Sequence, residues 1–176
     1  RLCLNLRVNE FSADQSLNMA ASNGEGFVVF SVSTPPWYLS TGGSIVIDAD
    51  PGGLFIKCTT LDAVSEAGKI MPDLLKIDVE GHELQVLEGC QRILKEQSPD
   101  LIIESVFNQN TDAIEQLLSA KGYLFYVISD DTLSVDRVDH LRPTSTDTVN
   151  MDKLNRLVTK RSAAEVSTLI SRARSL

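Results

Sequence analysis

Long apolar stretches, paired cysteines and clustered histidines are all missing from this sequence. No apolar run approaches the about 18 residues of a membrane span, and no secretory signal peptide is visible. The three cysteines, Cys3, Cys58 and Cys90, are odd in number and lack C-x-x-C spacing, which argues against a zinc cage or a disulfide framework. The two histidines, His82 and His140, lack metal-ligand spacing. We therefore expect a reduced, cytoplasmic setting and assign no metal site.

Basic residues are scarce, since 16 Lys and Arg stand against 24 Asp and Glu, a net charge of −8. This balance argues against a nucleic acid or an anionic membrane as partner. The exception is residues 151–176, where six Lys or Arg stand against two acids, a local balance of +4 that leaves −12 on the rest. This basic tail is either a solvated face or a docking surface.

Phosphate loops and nucleophile elbows are missing as well. The glycines of "NGEG" (23–26), "TGG" (41–43) and "PGG" (51–53) form neither G-x-G-x-x-G nor a Walker loop, and no serine lies in G-x-S-x-G. Trp37 and Tyr38 lie in a loop, where they either line a substrate pocket or serve packing.

What is present is a periodicity typical of an α/β domain. Strands are predicted at 16–22, 27–33, 44–48, 54–58, 73–79 and 100–106, with a hairpin of 123–129 and 132–138. Helices are predicted at 59–68 and 81–96, around Ile114 up to Gly122, and through Val166 and Ile170. Because strands and helices alternate between residues 73 and 129, we expect a mostly parallel, Rossmann-like sheet with the hairpin as its antiparallel edge.

The chain is expected to form one main domain over residues 1–141. Residues 142–176 then comprise a polar loop, an ambiguous segment and a C-terminal amphipathic helix. Local propensity favours a helix over 151–159, whereas "LNRLVT" (154–159) also suits a last strand. For the helix over 59–68, Thr59 and Asp62 have capping-box spacing and Gly68 suits the exit.

Acidic side chains crowd the ends of two successive predicted strands. Asp78 and Glu80 follow the strand over 73–79, while Glu104 and Ser105 end the strand over 100–106. In an open parallel sheet ligands bind beyond the carboxyl ends of the strands, and neighbouring strands lie about 5 Å apart. Two such carboxylates either hold Mg²⁺ or Ca²⁺ or supply a general base, and His82 can take a proton at the same mouth.

The same charges have simpler interpretations. Glu80 and Glu83 flank a helix start, where negative charge interacts favourably with the helix dipole, and His82 can be a surface residue of the first turn. Asp78 resists such an explanation because it follows a strand that is expected to be buried, and a buried carboxylate needs a partner. Lys76 in that strand is either the partner or extends into solvent.

Three segments together resemble the FkbM methyltransferase family: "TLD" at 60–62, "LKIDVEGHELQVLEG" at 75–89 and the acid-ended strand at 101–104. Upstream, "LNLRVN", "NMAAS" and "GEG" extend the resemblance over roughly residues 1–129. The family is similar to class I S-adenosylmethionine-dependent methyltransferases, whose sheet is seven-stranded with an antiparallel edge. The resemblance implies methyl transfer from S-adenosylmethionine, typically to a hydroxyl oxygen, here on a small molecule, a glycan or a lipid.

The resemblance also implies roles for particular residues. It places the substrate side near Asp78 and Glu80, and the adenine side of the cofactor site near Ala20, Ala21 and Ser22. Together with the position of His82 at the same mouth, this makes Asp78, Glu80 and His82 the expected catalytic residues.

The family's first strand with its glycine-rich cofactor loop, and the acidic end of its second strand, are expected before Arg1. We therefore expect this chain alone to bind the cofactor poorly, either as a piece of a longer protein or as a degenerate domain that serves as a non-catalytic binding module. Asp78 and Glu104 also lie where metal-dependent enzymes such as catechol O-methyltransferase place acidic ligands, so a metal-assisted reaction stays open.

Overall fold

The protein folds into two sheets with helices packed mainly on the second. The computed structural model describes residues 6, 8–10, 16–31, 44–46, 53–104, 110–129, 131–142 and 154–173. The segments that contain Cys3, Trp37 with Tyr38, and Ser105 lie outside these ranges, as does most of the predicted polar loop.

The first sheet has four strands: β1 (Ala20–Ala21), β2 (Gly26–Ser31), β3 (Ser44–Val46) and β4 (Leu54–Thr59). Their order is β1-β4-β2-β3, with β1 parallel to β4 and the other pairs antiparallel. The strands predicted from β-branched and aromatic runs are confirmed in their described parts. The strand predicted at 16–22 is wrong in length, because only two residues pair with β4, and these two are half-buried.

The second sheet has five strands: β5 (Leu74–Ile77), β6 (Asp100–Glu104), β7 (Leu124–Ser129), β8 (Ser134–Val138) and β9 (Asn155–Thr159). Their order is β5-β6-β9-β7-β8, and among these pairs only β5 with β6 is parallel. The predicted hairpin of β7 and β8 is confirmed, and an α/β architecture with mixed strand directions is present.

The expectation of a mostly parallel sheet is wrong. The strand β9 lies between β6 and β7 and runs antiparallel to both, so these two strands keep a common direction but are not neighbours. The strand interpretation of "LNRLVT" is correct and the helix interpretation fails. Burial explains the outcome, because β9 is an inner strand of the sheet and its residues Arg156, Val158 and Thr159 are all buried. Such packing outweighs local helix propensity.

The described helices are α1 (Leu61–Gly68), α2 (Glu83–Glu88), α3 (Gln91–Glu96), α4 (Thr111–Ser119) and α5 (Ala163–Ala173). The single helix predicted at 81–96 is therefore two helices. The break has a clear cause: the Asp62 carboxylate accepts the amides of Arg92 and Ile93 at 2.8 and 3.0 Å, which gives α3 its own N-terminal cap.

The predicted capping of α1 needs correction. The capping residue is Thr60, whose hydroxyl accepts the Ala63 amide at 3.1 Å, because Thr59 is still paired in β4. Lys69, with φ of 50°, takes the left-handed exit conformation that was expected of Gly68. Asp62 therefore caps a different helix from the one in which it lies.

The core lies between the second sheet and helices α2, α3 and α4. It is formed by Ile77, Val86, Leu87, Cys90, Ile93, Leu94, Leu101, Ile103, Ile114, Leu118, Tyr123, Phe125, Leu141 and Val158. Cys58 and Cys90 are buried free thiols, and burial raises the pKa of Cys90 to about 12. In the described part of the chain, no helix has the length and apolarity needed to cross a membrane.

Candidate active site

A cleft of about 700 Å³ lies between the first sheet and the end of β5. Its walls bring Ala20 and Ala21, predicted as cofactor residues, together with Asp78 and Glu80, predicted as catalytic residues. These two pairs are far apart in sequence, so the fold assembles the predicted site from separate segments. Two other predicted residues, Ser22 and His82, adjoin the cleft without lining it.

The floor of the cleft on the first sheet is apolar. It is formed by Phe30 of β2, Ile45 of β3 and Ile56 of β4, with Leu17 and Met19 beside β1. Phe30 pairs directly with Ile45 across the β2–β3 ladder, and Ile56 pairs with Val28 two residues before Phe30, so all three side chains share one face. Sequence reasoning did not identify these residues, although the alternation within β2 and β4 carried the signal.

Asp78 is not buried, which corrects the reasoning that singled it out. The strand β5 is the edge of the described sheet, Leu74 is 54% exposed, and the Asp78 side chain is 43% exposed. Its partner is Lys76, as one interpretation predicted, with Nζ 3.1 Å from Asp78 Oδ2. The same ammonium donates to Asn155 Oδ1 at 3.1 Å, so β9 supports the arrangement from the far side of β6.

Glu104 lies beside Asp78, as the strand-end argument predicted. The parallel register pairs Ile77 with Ile103, which brings the next residue of each strand to the same edge. Burial is the main cause that raises the pKa of Glu104, and the charge of Asp78 and a hydrogen bond to it act in the same direction, while Lys76 opposes them. Within the described ranges, no three His, Cys, Asp or Glu side chains are grouped to hold a metal ion, so this pair alone does not build one.

The turn after β5 directs Glu80 into the cleft. Glu80 and Gly81 both have positive φ, 49° and 99°, and the His82 amide closes the turn on the Val79 carbonyl at 3.4 Å. Gly81 suits this conformation, whereas Glu80 adopts it at a cost that surrounding contacts must offset. Glu83 contributes one such contact, because its Oε1 accepts the Gly81 amide at 3.0 Å.

Glu83 does stand in the first turn of α2, but it is not the solvated charge that a helix start suggests. Its side chain is 1% exposed. Burial with a hydrogen bond to the turn makes Glu83 a support for the backbone that presents Glu80, rather than a surface charge.

Ser22 and His82 form a bridge between the two walls. Ser22 is 4% exposed, and its Oγ lies 2.9 Å from His82 Nε2, while its amide donates to the Thr59 carbonyl at 2.9 Å. Burial lowers the pKa of His82, and the charges of Glu83 and Glu88 only partly oppose this. The imidazole is therefore neutral near pH 7, with Nε2 engaged by Ser22.

Gly89 completes the bridge and was not assigned a role from the sequence. A Cβ at this position would lie 2.0 Å from the Ser22 carbonyl oxygen, so only glycine permits the contact. The Gly89 carbonyl also accepts the Asp62 amide at 3.0 Å. The Ser22 carbonyl thus lies against the C-terminal end of α2 at a position that the motif glycine allows.

Comparisons with known proteins identify the family and agree with the fold. The profile described as "Methyltransferase FkbM domain" matches residues 2–125. The hexuronic acid methyltransferase AglP of Haloferax volcanii is 33% identical over 76 residues, which cover 43% of this chain and 30% of AglP. The chain thus spans about a third of the length of that relative.

A solved structure shares the fold. The crystal structure of the methyltransferase FkbM from Methylobacillus flagellatus KT superposes with a TM-score of 0.52 at 18% identity, covering 89% of this chain and 32% of that one. The family profile spans more than half of the chain, and its matched range includes both walls of the cleft. The chain belongs to the FkbM methyltransferase family.

Proposed function

We propose that this chain forms the substrate side of an S-adenosylmethionine-dependent methyltransferase that methylates a hydroxyl oxygen on a small molecule, glycan or lipid. The observation that carries the proposal is the cleft that small and apolar side chains line together with Asp78 and Glu80. The name of the relative AglP, a hexuronic acid methyltransferase, supports a sugar as acceptor.

The residues present fit part of the cofactor. Ala20 and Ala21 leave room beside the apolar floor of Phe30 and Ile56, which suits a flat aromatic ring, and the nearby carboxylates suit a sulfonium cation. When bound, S-adenosylmethionine supplies a methyl group on that sulfonium. Ser22 contributes differently from the two alanines, since its hydroxyl is engaged by His82 and holds the wall in place.

Asp78 is the proposed general base. Asp78 lines the cleft, and the ammonium of Lys76 lies 3.1 Å from its Oδ2. A carboxylate placed this way takes the proton of the acceptor hydroxyl as the oxygen gains the methyl group. Glu80, presented by the strained turn, orients the acceptor through a hydrogen bond from a second hydroxyl.

His82, expected to be catalytic, is proposed to act as a positioning residue. Its Nε2 is engaged by Ser22, and it does not line the cleft. A neutral imidazole in this place fixes the distance between residues 20–22 and the turn that carries Glu80.

The cysteines bear on where this chemistry takes place. Cys58 and Cys90 are unpaired and buried, which supports the proposal of a reducing, cytoplasmic compartment.

The test compares Asp78→Asn with Asp112→Asn in the full-length natural protein. Asp112 is an exposed acid on α4 paired with Arg142, so it serves as the matched control. Labelled methyl transfer from S-adenosylmethionine into extracted glycans should fall about 10²- to 10⁴-fold in Asp78→Asn and stay unchanged in Asp112→Asn. Because the Asp78–Lys76 pair is exposed, Asp78→Asn should change the free energy of unfolding by less than about 1 kcal/mol.

Two results would contradict the proposal. Equal losses of activity and of stability in Asp78→Asn would make Asp78 structural. Calorimetry that detects no binding of S-adenosylmethionine to the full-length protein would remove the methyltransferase function and favour a binding module on the same fold.

A further inference from the structure

The charged residues described in the lining of the cleft are all acidic. Of the eleven described residues that line it, two are charged, and both of these, Asp78 and Glu80, are acids. Within the described part of the chain, no Lys, Arg or His lines this cleft. Among the described residues, an acceptor that enters therefore meets apolar surface, the neutral amide of Asn18 and two carboxylates.

The stretch of sequence that supplies one wall of the cleft also contains acids but no bases. From Val8 to Ile56 there is no Lys, Arg or His, whereas there are five acids: Glu10, Asp14, Glu25, Asp48 and Asp50. Every strand of the first sheet before the middle of β4 comes from this stretch. The whole segment that forms the apolar floor thus lacks a cation that could pair with an anionic group.

Three basic side chains on described strands of the two sheets, Lys76, Lys57 and Arg156, make other contacts or point away from the cleft. The ammonium of Lys76 contacts Asp78 Oδ2 and Asn155 Oδ1, both at 3.1 Å. Lys57 follows Ile56 in β4, so its side chain projects from the opposite face of the sheet. Arg156 is 2% exposed, with Nε donating to the Leu141 carbonyl.

We propose that the unit methylated in this cleft is an uncharged polyhydroxyl group, such as a neutral sugar, and not a uronic acid, a phosphate ester or another anion. This inference rests on the proposed function. Hydroxyl groups donate to carboxylates, so Asp78 and Glu80 can hold a diol. A carboxylate or phosphate at the same place finds no basic side chain among the described lining residues and faces two like charges, which should lower kcat/KM for such an acceptor at least about tenfold.

This specificity differs from the one in the name of AglP, which refers to a hexuronic acid. The aligned region of 76 residues leaves most of AglP without a counterpart here, and the acceptor is read from the charge of this cleft instead.

The first test uses the full-length natural protein, labelled S-adenosylmethionine and a glycan extract from the source organism. The labelled product is hydrolysed to single units, which pass over anion and cation exchangers at pH 7. We expect the label in the unretained fraction. Label retained on either exchanger overturns the inference while leaving the methyltransferase function intact. No labelled product in any fraction refutes the proposed function, and this inference falls with it.

The second test adds a cation to the cleft. Leu17 lines the cleft and is 59% exposed, whereas Phe27 is 71% exposed and does not line it, so Leu17→Lys is matched by Phe27→Lys. The acceptors are the unmethylated parent of the unit labelled in the first test and the analogue of that parent oxidised to a carboxylate at the primary alcohol. We expect kcat/KM to favour the neutral unit at least about tenfold in the wild type.

In Leu17→Lys, the relative kcat/KM for the carboxylate analogue should rise about two- to fivefold, as one partly exposed ion pair allows. In Phe27→Lys the ratio should stay as in the wild type. A wild-type preference for the carboxylate analogue, or equal ratios in the two lysine variants, would show that the charge of the cleft does not select the acceptor.

Discussion

Gly89→Ala tests whether the contact between Gly89 and Ser22 holds the two walls of the cleft together. The added Cβ would lie 2.0 Å from the Ser22 carbonyl oxygen and 3.0 Å from its carbonyl carbon. Both neighbours are backbone atoms, so no side-chain rotation relieves the overlap. The two backbones must separate by more than about 1 Å to reach ordinary van der Waals contact.

The separation strains hydrogen bonds on both sides. The Gly89 carbonyl accepts the Asp62 amide at 3.0 Å, the Ser22 amide donates to the Thr59 carbonyl at 2.9 Å, and Ser22 Oγ contacts His82 at 2.9 Å. Losing two such bonds costs about 2 kcal/mol, and overpacking adds about 1 to 3 kcal/mol. We therefore expect Gly89→Ala to reduce the free energy of unfolding by about 3 to 5 kcal/mol.

Urea unfolding followed by circular dichroism measures this loss. Gly24→Ala is the control, because a Cβ there meets nothing within 4 Å, and it should change the free energy of unfolding by less than about 1 kcal/mol. If Gly89→Ala unfolds at the same urea concentration as the wild type and binds S-adenosylmethionine equally well, the contact does not hold the walls and the reasoning fails.

Two further predictions concern the cap of α3 and the two histidines. Asp62→Ala removes the acceptor for two α3 amides and should cost about 1 to 2 kcal/mol in urea unfolding, against less than about 0.5 kcal/mol for the exposed Asp112→Ala. Burial lowers the pKa of His82 from 6.5, so its contribution to stability is complete above pH 6.5 and is lost as pH falls through the folded value. A hydrogen bond to Glu115 raises the pKa of His140, so its contribution is complete below pH 6.5 and is lost as pH rises through the folded value. The measurement is the urea unfolding midpoint plotted against pH from 5 to about 8. The slope of this plot on the acid side should disappear in His82→Gln, and the slope on the alkaline side should disappear in His140→Gln. Unchanged slopes would contradict these signs.

Local patterns predicted two kinds of element. The β7–β8 hairpin pairs strands that are close in sequence, and helix α4 carries its buried residues Ile114 and Leu118 at helical spacing, so alternation and 3.6-residue periodicity were enough to find them. The placement of β9 was beyond such reasoning. It returns from a distant point of the chain to fill the gap between β6 and β7, and no residue near it signals that gap.

Apolar density misjudged β5. Its run of leucines and isoleucine suggested a strand covered on both faces, but Leu74 is exposed and β5 is an edge in the described sheet. Asp78 was chosen because it was thought to be buried, and the structure shows it exposed beside Lys76. The strand-end rule predicted the side chain's place at the cleft even though the burial argument was wrong.

The pairing of Ser22 with His82 was equally out of reach, since 60 positions separate them and neither residue type requires the other. Each had been assigned separately, one to the cofactor and one to catalysis. Their hydrogen bond makes them parts of one structural link, and this shared role appears only when β1 lies against the start of α2.

The motif residues divide by what their side chains contact. Asp62 caps α3, Glu83 holds the turn after β5, and Gly89 admits the Ser22 carbonyl, so three of the residues that carry the family resemblance build the walls of the cleft. Asp78 and Glu80 differ, because their carboxylates line the cleft itself. The carboxylates of Asp62 and Glu83 instead accept hydrogen bonds from backbone amides. Substitution of Asp78 or Glu80 should therefore alter turnover with little loss of stability, whereas substitution of the wall residues should lower both turnover and stability.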